Sequence, residues 1–225
     1  MIKQWSHSRI TGYQQCPQRT KFKVIDKLPD PAGPAADRGI YWHKVAENFI
    51  RGALPDLPHR EPKDPPMHEY KPLFLALQKL EPLLEHQVGF TREWAETGFF
   101  SKDTWGRAVY DVIYYDAPRK TVVIIDWKTG KPSGAHMGQL ELYSATGLLL
   151  FPEAEKAESS DHYLDIGPHS VMTHHLLRDQ VQPILDRWKQ MAEQMEADTV
   201  MAPRPGQHCR WCAFRKSAGG VCSFG

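Results

Sequence analysis

Asp111, Asp126 and Lys128 lie within one short stretch, DVIYYDAPRKTVVIIDWK, whose pattern is that of a β-hairpin. An apolar run precedes a turn over 116–120, and five β-branched residues, Thr121 to Ile125, follow it. A symmetric turn sets Asp111 and Asp126 at equal distances from its centre, so the two carboxylates face each other across the strands. Unpaired acids in an apolar sheet repel and are costly to bury. A divalent cation removes that conflict, and carboxylate oxygens suit Mg²⁺ or Mn²⁺. The backbone carbonyl of Trp127 is within reach as a further ligand. Period-2 alternation brings Lys128 to the same face as both acids, where its amine can orient a water or offset phosphate charge.

Two pairs on predicted helices flank this hairpin. In Gly39-Ile-Tyr-Trp-His43 and onward to Glu47, the histidine and the glutamate are one turn apart. His43 is a candidate metal ligand, with Glu47 as the partner behind it. Gln139 and Tyr143 are spaced in the same way, just after the loop leaving Lys128, and are candidates for contact with a phosphate or nucleobase. Taken singly, each pair is an ordinary helix face.

The four cysteines are the second chemical signal: Cys16, then Cys209-x-x-Cys212, then Cys222. A chain of 225 residues can fill a core without disulfide support, so metal binding is the favoured use. Four thiolates suit either tetrahedral zinc or a [4Fe–4S] cluster. Both cysteine-bearing ends are also basic. Residues 1–27 hold six Lys/Arg against Asp26 alone, and residues 203–225 hold Arg204, Arg210, Arg215 and Lys216 without an acid. If the cysteines meet, these ends form one positive surface, although the net charge of the chain is only +1.

The elements that must position these groups follow from periodicity and punctuation. A hydrophobic share of 41% and a charged share of 24% are those of an ordinary globular protein, expected here as one domain. There is no apolar run of membrane-spanning length and no signal-peptide core at the N-terminus, so a cytoplasmic location is expected. Ser6 or Ser8 caps a first helix, interrupted near Cys16-Pro17 and continuing to Ile25. A loop over 28–37 leads to a helix over 38–51. Residues 52–66, rich in proline and charge, read as a mobile insertion. Residues 69–85 read as a helix with a leucine stripe. Strands are predicted over 88–97, 105–115 and 121–127, then a helix over 139–150, a hairpin over 161–176 and a long helix over 178–197. His174 and His175 read as surface residues. The expected fold is a mixed α/β (α+β) sandwich around a small mixed sheet.

In order and spacing, GIYWH (39–43), Asp111, DWKTGK (126–131) and QLELY (139–143) resemble the PD-(D/E)XK nuclease superfamily, in particular RecB-type domains and Cas4-like exonucleases. The resemblance runs from Ser6 to Cys222. It implies a restriction-endonuclease-like core in which His43, Asp111 and Asp126 bind the metal, Lys128 is catalytic, and Gln139 and Tyr143 contact DNA. Asp126 stands where relatives often carry glutamate, one methylene longer. The one-plus-three cysteine layout is similar to the iron–sulfur staple of Cas4-like and AddB-like nucleases, although nine residues separate Cys212 from Cys222. That implies an iron–sulfur and DNA-binding subdomain made of 1–27 and 203–225. The implied activity is Mg²⁺- or Mn²⁺-dependent hydrolysis of DNA at ends or single strands, in recombination, repair, phage replication or CRISPR adaptation. The alternative is a non-cutting DNA-binding or assembly subunit. No P-loop occurs, so a helicase, recombinase or Cas1-type protein would act as a partner.

Overall fold

A computed structural model of the chain describes residues 2–31 and 33–224. Met1 and Gly225 of the terminal segments, and Ala32 of the expected loop, lie outside the described residues. The strands are β1 (Trp5–Ser6), β2 (Leu83–Phe90), β3 (Glu96–Thr97), β4 (Gly106–Asp116), β5 (Thr121–Lys128), β6 (Lys156–Tyr163) and β7 (Val171–Leu177). The helices are α1 (His7–Gln15), α2 (Pro17–Thr20), α3 (Pro34–Ile50), α4 (Lys71–Leu80), α5 (Met137–Leu150) and α6 (Val181–Ala197). The result is the expected mixed sheet flanked by helices.

The strand order is β3-β2-β4-β5-β6-β7, with β1 added in parallel to β4. The β4–β5 hairpin pairs Asp116 with Thr121 and Val112 with Ile125, the symmetric register its turn requires. One edge of β4 is occupied by β2 from Gly106 to Ile113. The other edge changes neighbour: β1 lies beside Gly106 and Arg107, whereas β5 is paired only from Val112 onward. Between those pairings β4 is uncovered, and Asp111 lies where it parts from β5. Strands β5 and β6 are parallel, which sets Asp126 beside Asp161.

Alternation divides the β-branched run of β5 between two cores. Val122 and Ile124 pack with Ile113, Leu148 and Leu185 on one face, while Val123, Ile125 and Trp127 pack with Phe49, Tyr70 and Phe74 on the other. Helix α5 is seated tightly on the first face. Ser144 Oγ meets Ser159 Oγ at 2.7 Å, and the Tyr110 hydroxyl donates to Thr146 Oγ1 at 2.7 Å. A Cβ at Gly147 would come within 2.7 Å of the Ile124 Cδ1 methyl, so any larger residue would make that side chain shift. These anchors hold the start of α5, and with it Gln139, over the ends of β5 and β6.

Two expectations need correction here. The helix predicted over 69–85 ends at Leu80: Glu81 takes a left-handed φ of 49°, Pro82 stops the helix, and β2 begins at Leu83. His174 is half-buried rather than on the surface, with Nδ1 3.1 Å from Ser144 Oγ. The 52–66 stretch has no regular element, yet Leu57 is buried in the second core and Asp56 pairs with Lys71 at 2.8 Å. Among the described residues no helix is long and apolar enough to cross a membrane.

Candidate active site

The carboxylates gather where β4 and β5 separate. Continuing the hairpin register by one residue sets Asp111 against Asp126. Asp111 Oδ2 accepts the Trp127 amide at 2.7 Å and lies 3.2 Å from His43 Nδ1, which reaches in from α3. Gly39, one turn earlier on α3, allows that approach, since a Cβ there would be 3.2 Å from Thr129 Oγ1. Asp126 is 4% exposed and forms a short ion pair with Lys128. Gln139 closes the group: its Nε2 donates to Asp126 Oδ1 at 3.0 Å, and its Oε1 accepts from Lys128 Nζ at 2.9 Å. The amide therefore fixes both members of the ion pair in one orientation.

Two acids that the motif left out complete the cluster. Glu85 follows Leu84, which pairs with Val112, and precedes His86, which pairs with Tyr110, so β2 carries it alongside Asp111. Its backbone is left-handed (φ 49°), a conformation that costs a non-glycine residue of order 1 kcal/mol or more. Ligand atoms of His43, Glu85 and Asp111 lie within 4.8 Å of one another. Asp161 is fully buried, and no well-formed hydrogen bond satisfies its oxygens; the nearest groups are His136 Nδ1 at 3.4 Å and the Tyr163 hydroxyl. Helical reading of 69–85 hid Glu85, although Pro82 was the signal that the helix had ended. Asp161 had no local signal, because the parallel β5–β6 register joins residues 35 positions apart.

The electrostatics are those of crowded acids in a dry place. Burial, and then the Asp111 charge, raise the Asp126 pKa to about 7, with Lys128 opposing. Burial likewise raises Asp161 to about 6 and moves Glu85 upward. Burial disfavours the Lys128 ammonium, but Asp126, Asp161 and Asp111 outweigh it and raise its pKa, so the amine stays charged. His43 is raised for the same reason, against burial, by Asp111, Asp126 and Glu85. Burial, and then the Lys128 and His136 charges, drive the half-buried His7 down to about 4, so it is neutral at neutral pH. Carboxylates held together with an imidazole and unsatisfied oxygens fit a hard divalent cation.

Other expected site residues behave differently. Glu47 does not support His43: Lys44 at 2.7 Å and Arg51 at 2.9 Å hold its carboxylate, because two full charges one turn away outcompete an imidazole. Tyr143 is 7% exposed and packs on Tyr110 with ring centroids 4.9 Å apart, and burial raises its hydroxyl pKa well above the usual value. The Trp127 ring is buried on the opposite face against Phe74, and its backbone stays at the site through the Asp111 bond.

Cys16, Cys209, Cys212 and Cys222 line one small cavity with Phe22, Phe214 and Phe224. Among the described residues, no three of these sulfurs lie within 4.8 Å of one another. The tail also docks without them. Arg204 donates to the Gln14 carbonyl at 2.7 Å, the Tyr13 hydroxyl donates to Asp198 at 2.8 Å, and Phe22 meets Phe214 edge to face.

A comparison with solved structures finds the crystal structure of SSO0001, with a TM-score of 0.53 at 15% identity, covering 99% of this chain and 87% of that one. It also finds LHK-Exo in complex with dAMP, with a TM-score of 0.43 at 10% identity, covering 87% of this chain and 89% of that one. No curated protein matches by sequence. The family model for the PD-(D/E)XK nuclease superfamily matches residues 4–217, a span that takes in every acid of the cluster, Lys128 and three of the four cysteines. The chain belongs to the PD-(D/E)XK nuclease superfamily.

Proposed function

We propose that the chain is a Mg²⁺- or Mn²⁺-dependent deoxyribonuclease of the RecB-type, Cas4-like branch, acting as an exonuclease on DNA ends or single strands. The observation that carries this reading is the Asp126–Lys128–Gln139 arrangement beside His43 and Asp111. The cation would be held by His43, Asp111, Asp126 and the Trp127 carbonyl, with Glu85 alongside. Such an ion supplies Lewis acidity towards phosphate and a nucleophile at neutral pH. The chain's own residues do the rest. Lys128 keeps its positive charge in a water-poor pocket, where it stabilises phosphate charge more strongly than in solvent. Gln139 aims that charge, and Asp111 ties β5 to the His43 helix through the Trp127 amide.

The four thiols that share one cavity would hold an iron–sulfur cluster, with zinc as the alternative. Thiolates behind aromatic walls suit a larger cluster that pins the tail to α1. A helicase, recombinase or Cas1-type protein would supply any motor or integration step.

The test is anaerobic purification, then incubation with end-labelled single- and double-stranded DNA in Mn²⁺. Cutting by the unaltered chain that disappears in Lys128→Ala and Asp126→Ala is the expected result. DNA that is bound yet left intact would overturn the nuclease reading in favour of a non-cutting subunit. A brown preparation absorbing near about 400 nm is expected of thiolate-ligated iron, and a colourless one containing zinc would remove the cluster.

A further inference from the structure

The uncovered stretch of β4 opens a pocket of about 370 Å³ beside the acids, lined by Ser6, Ser8, Arg9, Arg107, Phe99 and Tyr143 among others. Its place follows from strand alternation. Arg107, Val109 and Asp111 share one face of β4, so the guanidinium and the site carboxylate are separated by about 13 Å of strand. Gln139, which holds Asp126 and Lys128, lines the same pocket. The pocket and the catalytic group therefore share Gln139.

Its charges are unspent. Arg38, Arg51, Arg92, Arg119 and Arg187 each meet a carboxylate. Among the described residues, no acid pairs with Arg9 or Arg107. Arg9 donates to the Gln4 carbonyl at 2.6 Å, and burial and the Arg107 charge both lower its pKa. The Arg107 Nε atom is buried without a hydrogen-bond partner. Its guanidinium lies 5.0 Å and 5.1 Å from the ring centres of Phe99 and Phe100, and Phe100 is 78% exposed. Two cations that line one pocket, with no carboxylate in its wall, suit an anion. Arg9, Ser6 and Ser8 also line a second pocket of about 250 Å³ with Arg19 and Lys23, but there Asp30 pairs with both of those cations, so the unpaired charge is confined to the first pocket.

We propose that this pocket seats one nucleotide of an unpaired DNA strand next to the scissile bond, with Arg9 and Arg107 gripping its phosphate and the Phe99–Phe100 edge stacking on its base. The pocket admits a single nucleotide and not a duplex, and an exposed ring beside a guanidinium is the chemistry that binds unstacked bases. The proposal rests on the nuclease reading, and its test separates the two.

Binding of a fluorescent single strand is measured in a Lys128→Ala background across a salt series. Arg9→Ala and Arg107→Ala should each weaken binding on the order of tenfold and flatten the log–log salt slope by about 0.7. Arg107→Lys should recover part of the loss, and Phe100→Ala should weaken binding several-fold with the salt slope unchanged. Arg119→Ala, at the hairpin turn, should bind as the parent does, and melting curves exclude misfolding. A circular strand and a 5′-phosphorylated linear strand separate internal diester from terminal phosphate, and arginine dependence on either one supports the pocket. Unchanged affinity and slope in both arginine variants, in a protein whose parent cuts DNA, would overturn the pocket and leave the nuclease standing. A parent that neither binds nor cuts would end both.

Discussion

The acid cluster and the cysteine clip are built in opposite ways. The cluster sits on strands and long helices, and its residues are poorly satisfied: a left-handed Glu85, an Asp161 without good hydrogen bonds, and an Asp126 whose ionisation burial opposes. The clip joins a four-residue helix to a tail of short turns, and its contacts are conventional ones between arginine and carbonyl or between aromatic rings. Rigid elements can hold strained groups in place, whereas irregular segments must be tied down. Substitution at the first region should therefore remove chemistry and spare the fold, and substitution at the second should do the reverse.

The largest effect expected is in the cluster. Lys128→Ala should lower DNA hydrolysis by on the order of 10²–10³-fold or more while unfolding stays cooperative, as measured by gel assay and calorimetry. A variant that melts early would erase the contrast. In the clip, Cys209→Ser with Cys212→Ser should abolish the visible absorbance and free residues 203–224 to limited proteolysis. Thermal stability should fall by several kcal/mol, since the proposed closure between segments some 190 residues apart would be lost. Gly220→Ala tests the clip without touching a thiol. A Cβ there would overlap the Phe214 backbone, so a loss of about 1–3 kcal/mol and partial loss of the cluster are expected from melting and iron analysis.

The most discriminating effect is at Asp161. Its folded pKa of about 6 lies above its unfolded value, so its contribution to stability is full below about pH 4 and is lost as pH rises through 6. Asp161→Asn should therefore match the parent near pH 4 and exceed it above pH 6 by up to about 3 kcal/mol in chelator. Equal melting at pH 8 would show that Asp161 is not strained and would weaken the contrast. If manganese raises the parent more than the variant, the carboxylate is used by the metal.

What could be read from sequence divides along the same line. The hairpin was legible because its turn is symmetric and its strands are β-branched, and Asp111 and Asp126 came with it. Gln139 was legible in position but not in role, since its bond to the ion pair depends on where Ser144, Thr146 and Gly147 seat α5. Glu47 was misassigned because helix spacing says which residues are near, not which charge wins. Arg107 gave no sign of itself: its importance comes from β4 exchanging β1 for β5 as a neighbour, a property of topology and not of local pattern. The cysteines suggested a shared site by count, and all four line one cavity, while the contacts that dock the tail are too dispersed to predict.

The placement of Cys16 and Cys222 in one cavity also has a consequence during translation. Asp161, the last acid of the cluster, is synthesised 61 residues ahead of Cys222, a lag of roughly 3–12 s at common elongation rates. For that interval the nascent polypeptide carries a full set of carboxylates without the last of the four thiols that line the cavity.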